Sequence, residues 1–383
     1  MNQFQHELYW QLMMLCAEKD SPFYYTDFPI TANDGSCFRV FNYRIPSFSD
    51  FQKPGALNSR GTMFFVGKNI QLCCLPMEKF FNVHEGIQTS DEELLNSELI
   101  TEKVDGSLLS TYSQYDEIYL KSKGSIVSEQ AVAGNYYLAL NRDLHDILFE
   151  CYRKGYTVNM EWVAPDNQIV VGYPEKRLVV LNARSIEDGS YMEHNIAKLI
   201  FGEHYVAHKE FSSLEDKKNF LKNIPSMEGI EGFVIRLASG RQVKYKTEWY
   251  ITRHRIKDSI NNPRHLFEAV VDEATDDIRE LFRADKESLE KISRMERFVS
   301  HEFNSMVKEV EAFHKENKIL SRKEYAILAQ NHFYGNFYFP VVMNLYLNKP
   351  VDYKEFFKEH WDDLKSQWSL NELSCLDQEL GLQ

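Results

Sequence analysis

The stretch TEKVDGSLLS places Lys103 two residues before Asp105, Gly106 and Ser107. A lysine can attack phosphorus only as the free amine, and neighbouring cations favour that form near neutral pH. The same cations bind a triphosphate, while carboxylates hold Mg²⁺ and fix the nucleotide sugar. A glycine after the acid would let the backbone approach the ligand closely. Residues of these types recur downstream. VNMEWVAP puts Thr157, Asn159 and Glu161 on one face of a strand-like run, opposite Val158, Met160 and Trp162. EGFVIR starts a strand at Glu231, KYK sets Lys244 and Lys246 on one strand face, and Lys121 and Lys123 share a face of YLKSKGS. Taken singly, these are a solvated ion pair, an edge-strand acid, a turn acid and a solvated lysine face. Together, a lysine nucleophile, acids and paired lysines on several strands make an adenylate-forming pocket.

Glycine placement shows what must position them. Fifteen of the 17 glycines lie at or before Gly240, and no Gly or Pro occurs between Pro263 and Gly335. The first two-thirds reads as turn-rich α+β structure and the rest as helix. RLVVLNARSIEDGSYM reads as strand, turn and strand about Asp188-Gly189, and EGFVIRLASGRQVKYKT repeats the pattern about Ser239-Gly240. YDEIYLKSKGSI is a further strand ending at Gly124. Such hairpins predict antiparallel sheets rather than a parallel βαβ fold. Ile292, Met295, Val299, Phe303, Met306, Val310 and Phe313 recur every three or four residues, one face of a long helix whose pattern stops near Lys315.

Composition bounds the function. A chain of 383 residues with 43% hydrophobic and 26% charged residues describes a globular protein with a sizeable core, and 26 Phe and 21 Tyr predict rings within it. The net charge of -13 argues against non-specific coating of nucleic acid, though not against a local basic groove. Residues 251–383 carry 19 Lys and Arg against 24 Asp and Glu, so the helical part is no basic domain. Cys16, Cys37, Cys73, Cys74, Cys151 and Cys375 form neither a CxxC pair nor a zinc spacing, which fits free thiols in a reducing cytosol. MNQFQHELYWQLMMLCAEKD has no basic segment or cleavage site of a signal peptide, and no apolar run reaches about 18 residues, so an intracellular protein that spans no membrane is expected.

The order K-x-D-G, Glu-bearing strand, E-G-F/Y-V and K-x-K resembles that of the covalent nucleotidyltransferases: RNA ligases, DNA ligases and mRNA-capping enzymes. Within them, NSRGTMFF, LPMEKFFN, KVDGS, LVVLNAR, EGFVIR and KYKTEWY are similar to the bacteriophage RNA ligase 1 family, the tRNA-repair ligases of T-even-like phages. That resemblance covers essentially the whole chain. It implies an antiparallel-sheet nucleotidyltransferase domain over 1–254 and an all-helical C-terminal domain over 255–383 that confers RNA or tRNA specificity. It implies ATP-dependent joining of 5′-phosphate and 3′-hydroxyl RNA ends with Mg²⁺, by a monomer in the cytoplasm of an infected host. Lys103 would carry AMP; Arg60, Lys79 and Lys123 would contact the triphosphate; Glu161 would hold the ribose. Glu231 would act with Mg²⁺, Lys244 and Lys246 would neutralise the α-phosphate, Tyr250 would complete the site, and Asp105 and Gly106 would order the nucleotide. Glu231 is preferred to Glu228 because FVIR follows it, and Lys121 could share the role of Lys123. Asp276 and Asp277 are a further metal candidate, although a solvated helix face is the preferred reading. A DNA ligase or capping enzyme would append a glycine-containing β-rich OB-fold, against which the Gly- and Pro-free stretch argues. A non-catalytic RNA-binding or assembly protein on the same fold is the remaining alternative.

Overall fold

The computed structural model describes residues 1–30, 35–253, 262–282 and 285–368. It divides into two compact units, Met1–Ile256 and Lys257–Gln383. Cys375 and the expected 254/255 boundary lie outside the described residues; the other five cysteines are free thiols.

In the first unit, α1 (Gln3–Ala17) precedes an antiparallel sheet of β1 (Phe23–Pro29), β2 (Cys37–Tyr43), β3 (Met63–Val66) and β4 (Ile70–Cys74), in that order. Leu8, Tyr9, Leu12 and Leu15 of α1 pack on Phe23, Phe41, Phe64 and Leu72. The expected ring-built core is explicit here: Tyr9, Phe41 and Phe64 meet edge to face, with centroids 5.1–6.0 Å apart.

After β5 (Phe81–Asn82) and α2 (Asp91–Leu95) come β6 (Leu99–Lys103), β7 (Ser107–Gln114), β8 (Glu117–Ser122), α3 (Glu129–Leu140), α4 (Arg142–Arg153), β9 (Tyr156–Val163) and β10 (Arg177–Ser185). A second antiparallel sheet runs β10-β9-β7-β8. Its core joins Val158, Met160 and Trp162 to Leu138, Leu144 and Leu148 of α3 and α4. Alternation therefore puts the apolar half of VNMEWV inside. α5 (His194–Phe201), α6 (Leu214–Asn223), β11 (Gly232–Arg236), β12 (Gln242–Lys246) and α7 (Glu248–Arg253) follow. The third sheet, β5-β12-β11-β6, is antiparallel except where β5 meets β12. The Ser239-Gly240 hairpin forms as expected, but the second arm expected after Asp188-Gly189 is one bridge, Arg184 to Tyr191. Gly189 lies against Phe4 of α1, and Asn2 and Gln5 bond the carbonyls of Glu187 and Ile186, so this turn is spent on docking α1.

In the second unit, α8 (Pro263–Val271), α9 (Thr275–Leu281), α10 (Lys286–Asn317), α11 (Arg322–His332), α12 (Phe339–Tyr346) and α13 (Tyr353–Glu359) make an all-helical core. All seven residues of the expected helical stripe are buried in α10, with Phe298 and Val307 beside them. Asp285 caps α10 by accepting from the N–H groups of Glu287 and Ser288. Phe303 and Phe267 both pack on Phe357, with centroids 5.2 and 5.3 Å away. No described helix is long and apolar enough to cross a membrane.

Candidate active site

Lys103 ends β6, and Val104, Asp105 and Gly106 alone separate it from β7. The K-x-D-G motif is therefore the link between two sheets. In the third sheet, Gly232 of β11 pairs with Lys103 on one side and Lys246 on the other. Gly232 has φ +149°, and a Cβ there would fall 2.1 Å from the Tyr245 carbonyl oxygen, so only glycine fits the row. Glu231, the residue before it, is 3% exposed and lies between the lysines: Oε2 is 2.8 Å from Lys103 Nζ and Oε1 is 3.1 Å from Lys246 Nζ. Burial alone would push this carboxyl up, but the two ammonium groups outweigh it and hold it below the ordinary carboxylate value. Glu228 is exposed. Lys244 and Lys246 are each 8% exposed, which overturns the reading of KYK as a solvated face.

Asp105 is 2% exposed, and its carboxylate is filled by the protein itself. Oδ1 accepts from the Tyr250 hydroxyl at 2.8 Å; Oδ2 accepts from the Val170 and Val171 N–H groups at 2.8 and 2.7 Å. The acid thus fixes the Lys103 link from α7 and from the loop after β9, and Tyr250 acts through it. Lys246 Nζ also sits 5.0 Å from the Tyr250 ring centroid. In the fold, Gly106 permits a close approach to β9: a Cβ would meet the Trp162 carbonyl oxygen at 2.4 Å and Glu161 Cγ at 3.0 Å.

Glu161 sits on β9 between β7 and β10, paired with Leu108 and Val179, so it is not an edge-strand acid. It lines a pocket of about 110 Å³ with Lys103, Arg60, Asn182, Tyr191 and Arg236. Burial pushes its carboxyl up to about 7, against the pull of Lys103 and Arg60. Arg60 Nη1 is buried there without a hydrogen-bond partner among the described residues. A buried donor without an acceptor is costly unless an anion arrives to meet it.

The other residues named from the sequence lie elsewhere. β8 stops at Ser122, so Lys121 and Lys123 do not share a strand face. Lys121 is fully buried; its Nζ donates to the Gly61 and Ser122 carbonyls at 2.8 Å each, and burial lowers its pKa. It ties down the turn that carries Arg60. Lys123 Nζ lies over the Tyr43 ring, 3.9 Å from the centroid. Lys79 lines an adjoining cavity of about 680 Å³ rather than the Lys103 pocket; the two share Phe80, Tyr191 and Gln242. Asp276 and Asp277 belong to the second unit, at the first turn of α9. Asp277 is 3% exposed, so it does not lie on a solvated face, whereas Asp276 is half-buried; no group of three or more His, Cys, Asp or Glu among the described residues could hold a metal ion.

Motif reading missed Arg184. Buried at 3%, it donates to Asn58 Oδ1 at 2.7 Å, to the Pro76 and Gly189 carbonyls at 2.9 Å each, and to Glu78 at 3.1 Å. Its presence in LVVLNAR was the available signal, but Asn58, Pro76 and Glu78 are more than a hundred residues away along the chain.

A family model described as RNA ligase matches residues 58–250, and one described as T4 RNA ligase 1, C-terminal domain, matches residues 257–367. A putative RNA ligase of Thermovibrio ammonificans is 26% identical over 62% of this chain; the matched region spans 64% of that protein's length, under two-thirds. RNA ligase 1 of bacteriophage TS2126 is 24% identical over 70% of this chain and 68% of its own length. An archaeal ATP-dependent RNA ligase structure is 16% identical, with a TM-score of 0.49, over 77% of this chain and 78% of that one.

Two predictions follow from this geometry. The Glu161 carboxyl keeps its proton in the folded chain up to about pH 7, but loses it near 4.5 when unfolded. Folding therefore takes up a proton between these values, and the cost of burying Glu161 grows as pH rises through that window. In urea unfolding of the first unit, Glu161→Gln gains on Glu161 by on the order of 2 kcal/mol between pH 5 and pH 8; a pH-independent difference refutes the assignment.

Lys121 acts through the Arg60 turn. In the covalent reaction that the motif resemblance implies, Lys121→Met is expected to slow lysine adenylylation about tenfold, as loss of a buried charge-assisted hydrogen bond would. Combined with Arg60→Ala it adds little further loss, because both act on one element. Additive losses in that cycle would show that Lys121 serves general stability instead.

Proposed function

Since the chain belongs to the RNA ligase family typified by T4 RNA ligase 1, we propose that it joins RNA 5′-phosphate and 3′-hydroxyl ends with ATP, through AMP held on Lys103. The observation that carries this reading is the row Lys103, Glu231 and Lys246, locked by Gly232 across three strands.

ATP enters with its α-phosphate at Lys103, where Lys244 and Lys246 offset its charge and Arg60 supplies the buried donor. Glu161 takes a ribose hydroxyl. Lys103 Nζ gives up a proton, for which Glu231 Oε2 is a near acceptor, and attacks the α-phosphorus. A P–N bond forms as the P–O bond to pyrophosphate breaks. The AMP passes to an RNA 5′-phosphate, and a 3′-hydroxyl oxygen then attacks that phosphate and expels AMP. The chain's share is positioning and charge stabilisation. Magnesium fits this donor set as a cation carried by the nucleotide phosphates with Glu231 or Glu161 as its carboxylate, since Mg²⁺ sites need only one or two protein carboxylates. When bound, it spreads the phosphate charge.

Incubation with α-labelled ATP, without RNA, tests the reaction class. Label should become acid-stably attached to the wild type and not to Lys103→Ala, which still seals RNA supplied already adenylylated, at reduced rate. Label from GTP in place of ATP indicates a capping-type enzyme, and AMP mapped to another lysine removes Lys103.

The natural substrate is nicked tRNA, repaired at the anticodon loop, with residues 255–383 recognising its shape. The similarity of the motif set to the tRNA-repair ligases of T-even-like phages carries this reading, and RNA shape is read over surfaces wider than an end-binding cleft. A chain truncated at Lys257, once shown to unfold cooperatively, is expected to keep lysine adenylylation. It should lose preference for nicked tRNA over a short linear RNA in competition. Unchanged preference would leave the helical unit a stabilising role only.

A further inference from the structure

The cavity of about 680 Å³ beside the Lys103 pocket lies wholly in the first unit. Lys103 and Glu161 line only the smaller space; Lys79 and Arg241 line only the larger. One side of the larger cavity is aromatic. Phe48 and Phe51 meet Phe81 edge-on, with centroids 5.0 and 5.5 Å away. Lys79 Nζ stands 5.3 Å from the Phe81 centroid and 5.8 Å from that of Phe51. It makes no ion pair among the described residues. Rings beside a cation that no carboxylate holds are the materials of single-strand nucleic-acid sites, and the volume falls within the roughly 300–1,000 Å³ typical of ligand pockets.

Resting on the RNA-ligase reading, we propose that this cavity takes the 5′-terminal nucleotide of the RNA strand that receives AMP, its base against the Phe48–Phe81 rings and its 5′-phosphate at Lys79. The chemistry of transfer requires a second place beside the lysine pocket. Displacement at phosphorus keeps entering and leaving atoms roughly in line. Lys103 Nζ enters as pyrophosphate departs, and in the next step Nζ itself departs. The RNA 5′-phosphate oxygen must therefore come from where pyrophosphate left. A P–O bond forms and the P–N bond breaks; its electron pair returns to Nζ, which takes a proton from water. Lys103 lines none of the larger cavity, which meets its pocket across Phe80, Tyr191 and Gln242. Lys79 thus serves the departing pyrophosphate first and the arriving RNA phosphate second.

The test separates the steps in the full chain. Lysine adenylylation from labelled ATP and AMP transfer to a short 5′-phosphorylated RNA are measured for Phe48→Ala, Phe48→Tyr and Ile87→Trp. Ile87 lines the cavity at 56% exposure, so tryptophan there narrows the space without disturbing the core. Phe48→Ala and Ile87→Trp should each raise the KM for RNA in transfer by about tenfold, the loss expected for one stacked base. Phe48→Tyr should restore it, and the three should differ little in lysine adenylylation. Unchanged KM in both Phe48→Ala and Ile87→Trp overturns the subsite, as does a parallel fall in adenylylation and transfer, which would make the ring structural. A wild type that forms no lysine–AMP removes the RNA-ligase reading itself, a different result from either.

Discussion

Glu231 is an ion placed where water is nearly excluded, between two lysines, and the site depends on its staying there. A buried carboxylate without partners costs several kcal/mol, and a buried pair breaks even only when its geometry is good. Here both oxygens are engaged, at 2.8 and 3.1 Å, by side chains on two different strands. Those strands are held in register by the glycine that follows the acid. A residue with a side chain at Gly232 would push β11 off β12, and the carboxylate would lose Lys246. One steric exclusion thus sets an electrostatic arrangement. In the proposed reaction the Lys103 salt bridge must open before the amine can attack, so the same carboxylate that keeps the resting site together also meets the reactive nitrogen.

A second constraint fixes the angle at which Lys103 is presented. The link between β6 and β7 is three residues long, too short to place a lysine reproducibly unless it is pinned. Asp105 does this with three hydrogen bonds, one of them from Tyr250, 145 residues away. Gly106 then lets the link lie directly on β9, beside Glu161. Neither residue needs to touch a nucleotide to be indispensable to the lysine. Preorganised positioning of this kind is a large part of what phosphoryl and nucleotidyl transfer asks of a protein.

These facts explain which parts of the molecule were legible in the sequence. The helical stripe of α10 was, because its signal lies within 22 residues and follows the period of the helix itself. The antiparallel hairpin about Ser239-Gly240 was local in the same way. The residues of the K-x-D-G, E-G and K-x-K motifs could be named, but the reason for each small or acidic member could not. Gly106 read as clearance for a ligand, and the clearance it gives the Trp162 carbonyl was not legible. Lys121 and Lys123 read as one face, although the strand ends between them and one is buried. The turn expected to form a hairpin after β10 is instead taken up by α1, packed from the other end of the chain. Period and propensity report on neighbours along the chain; long-range packing decides the rest.

Two carboxylates close to the same lysine are driven in opposite directions, and that opposition assigns their work. Glu231 has two cations at contact distance and stays ionised; Glu161, with Lys103 and Arg60 acting on it but no salt bridge among the described residues, is pushed up to about 7 by burial. Groups whose environments separate their proton affinities are suited to different tasks in one pocket. An ionised Glu231 can balance the charge of Lys103 and Lys246. A Glu161 poised near neutrality can exchange hydrogen bonds with a sugar hydroxyl as donor or acceptor, without adding a second fixed negative charge beside an incoming triphosphate. Had both been fully ionised, their repulsion for the nucleotide would have opposed the attraction of Arg60, Lys244 and Lys246. In the proposed reaction, keeping one acid near its neutral form lets a chain with an overall charge of -13 offer a cationic pocket to the triphosphate.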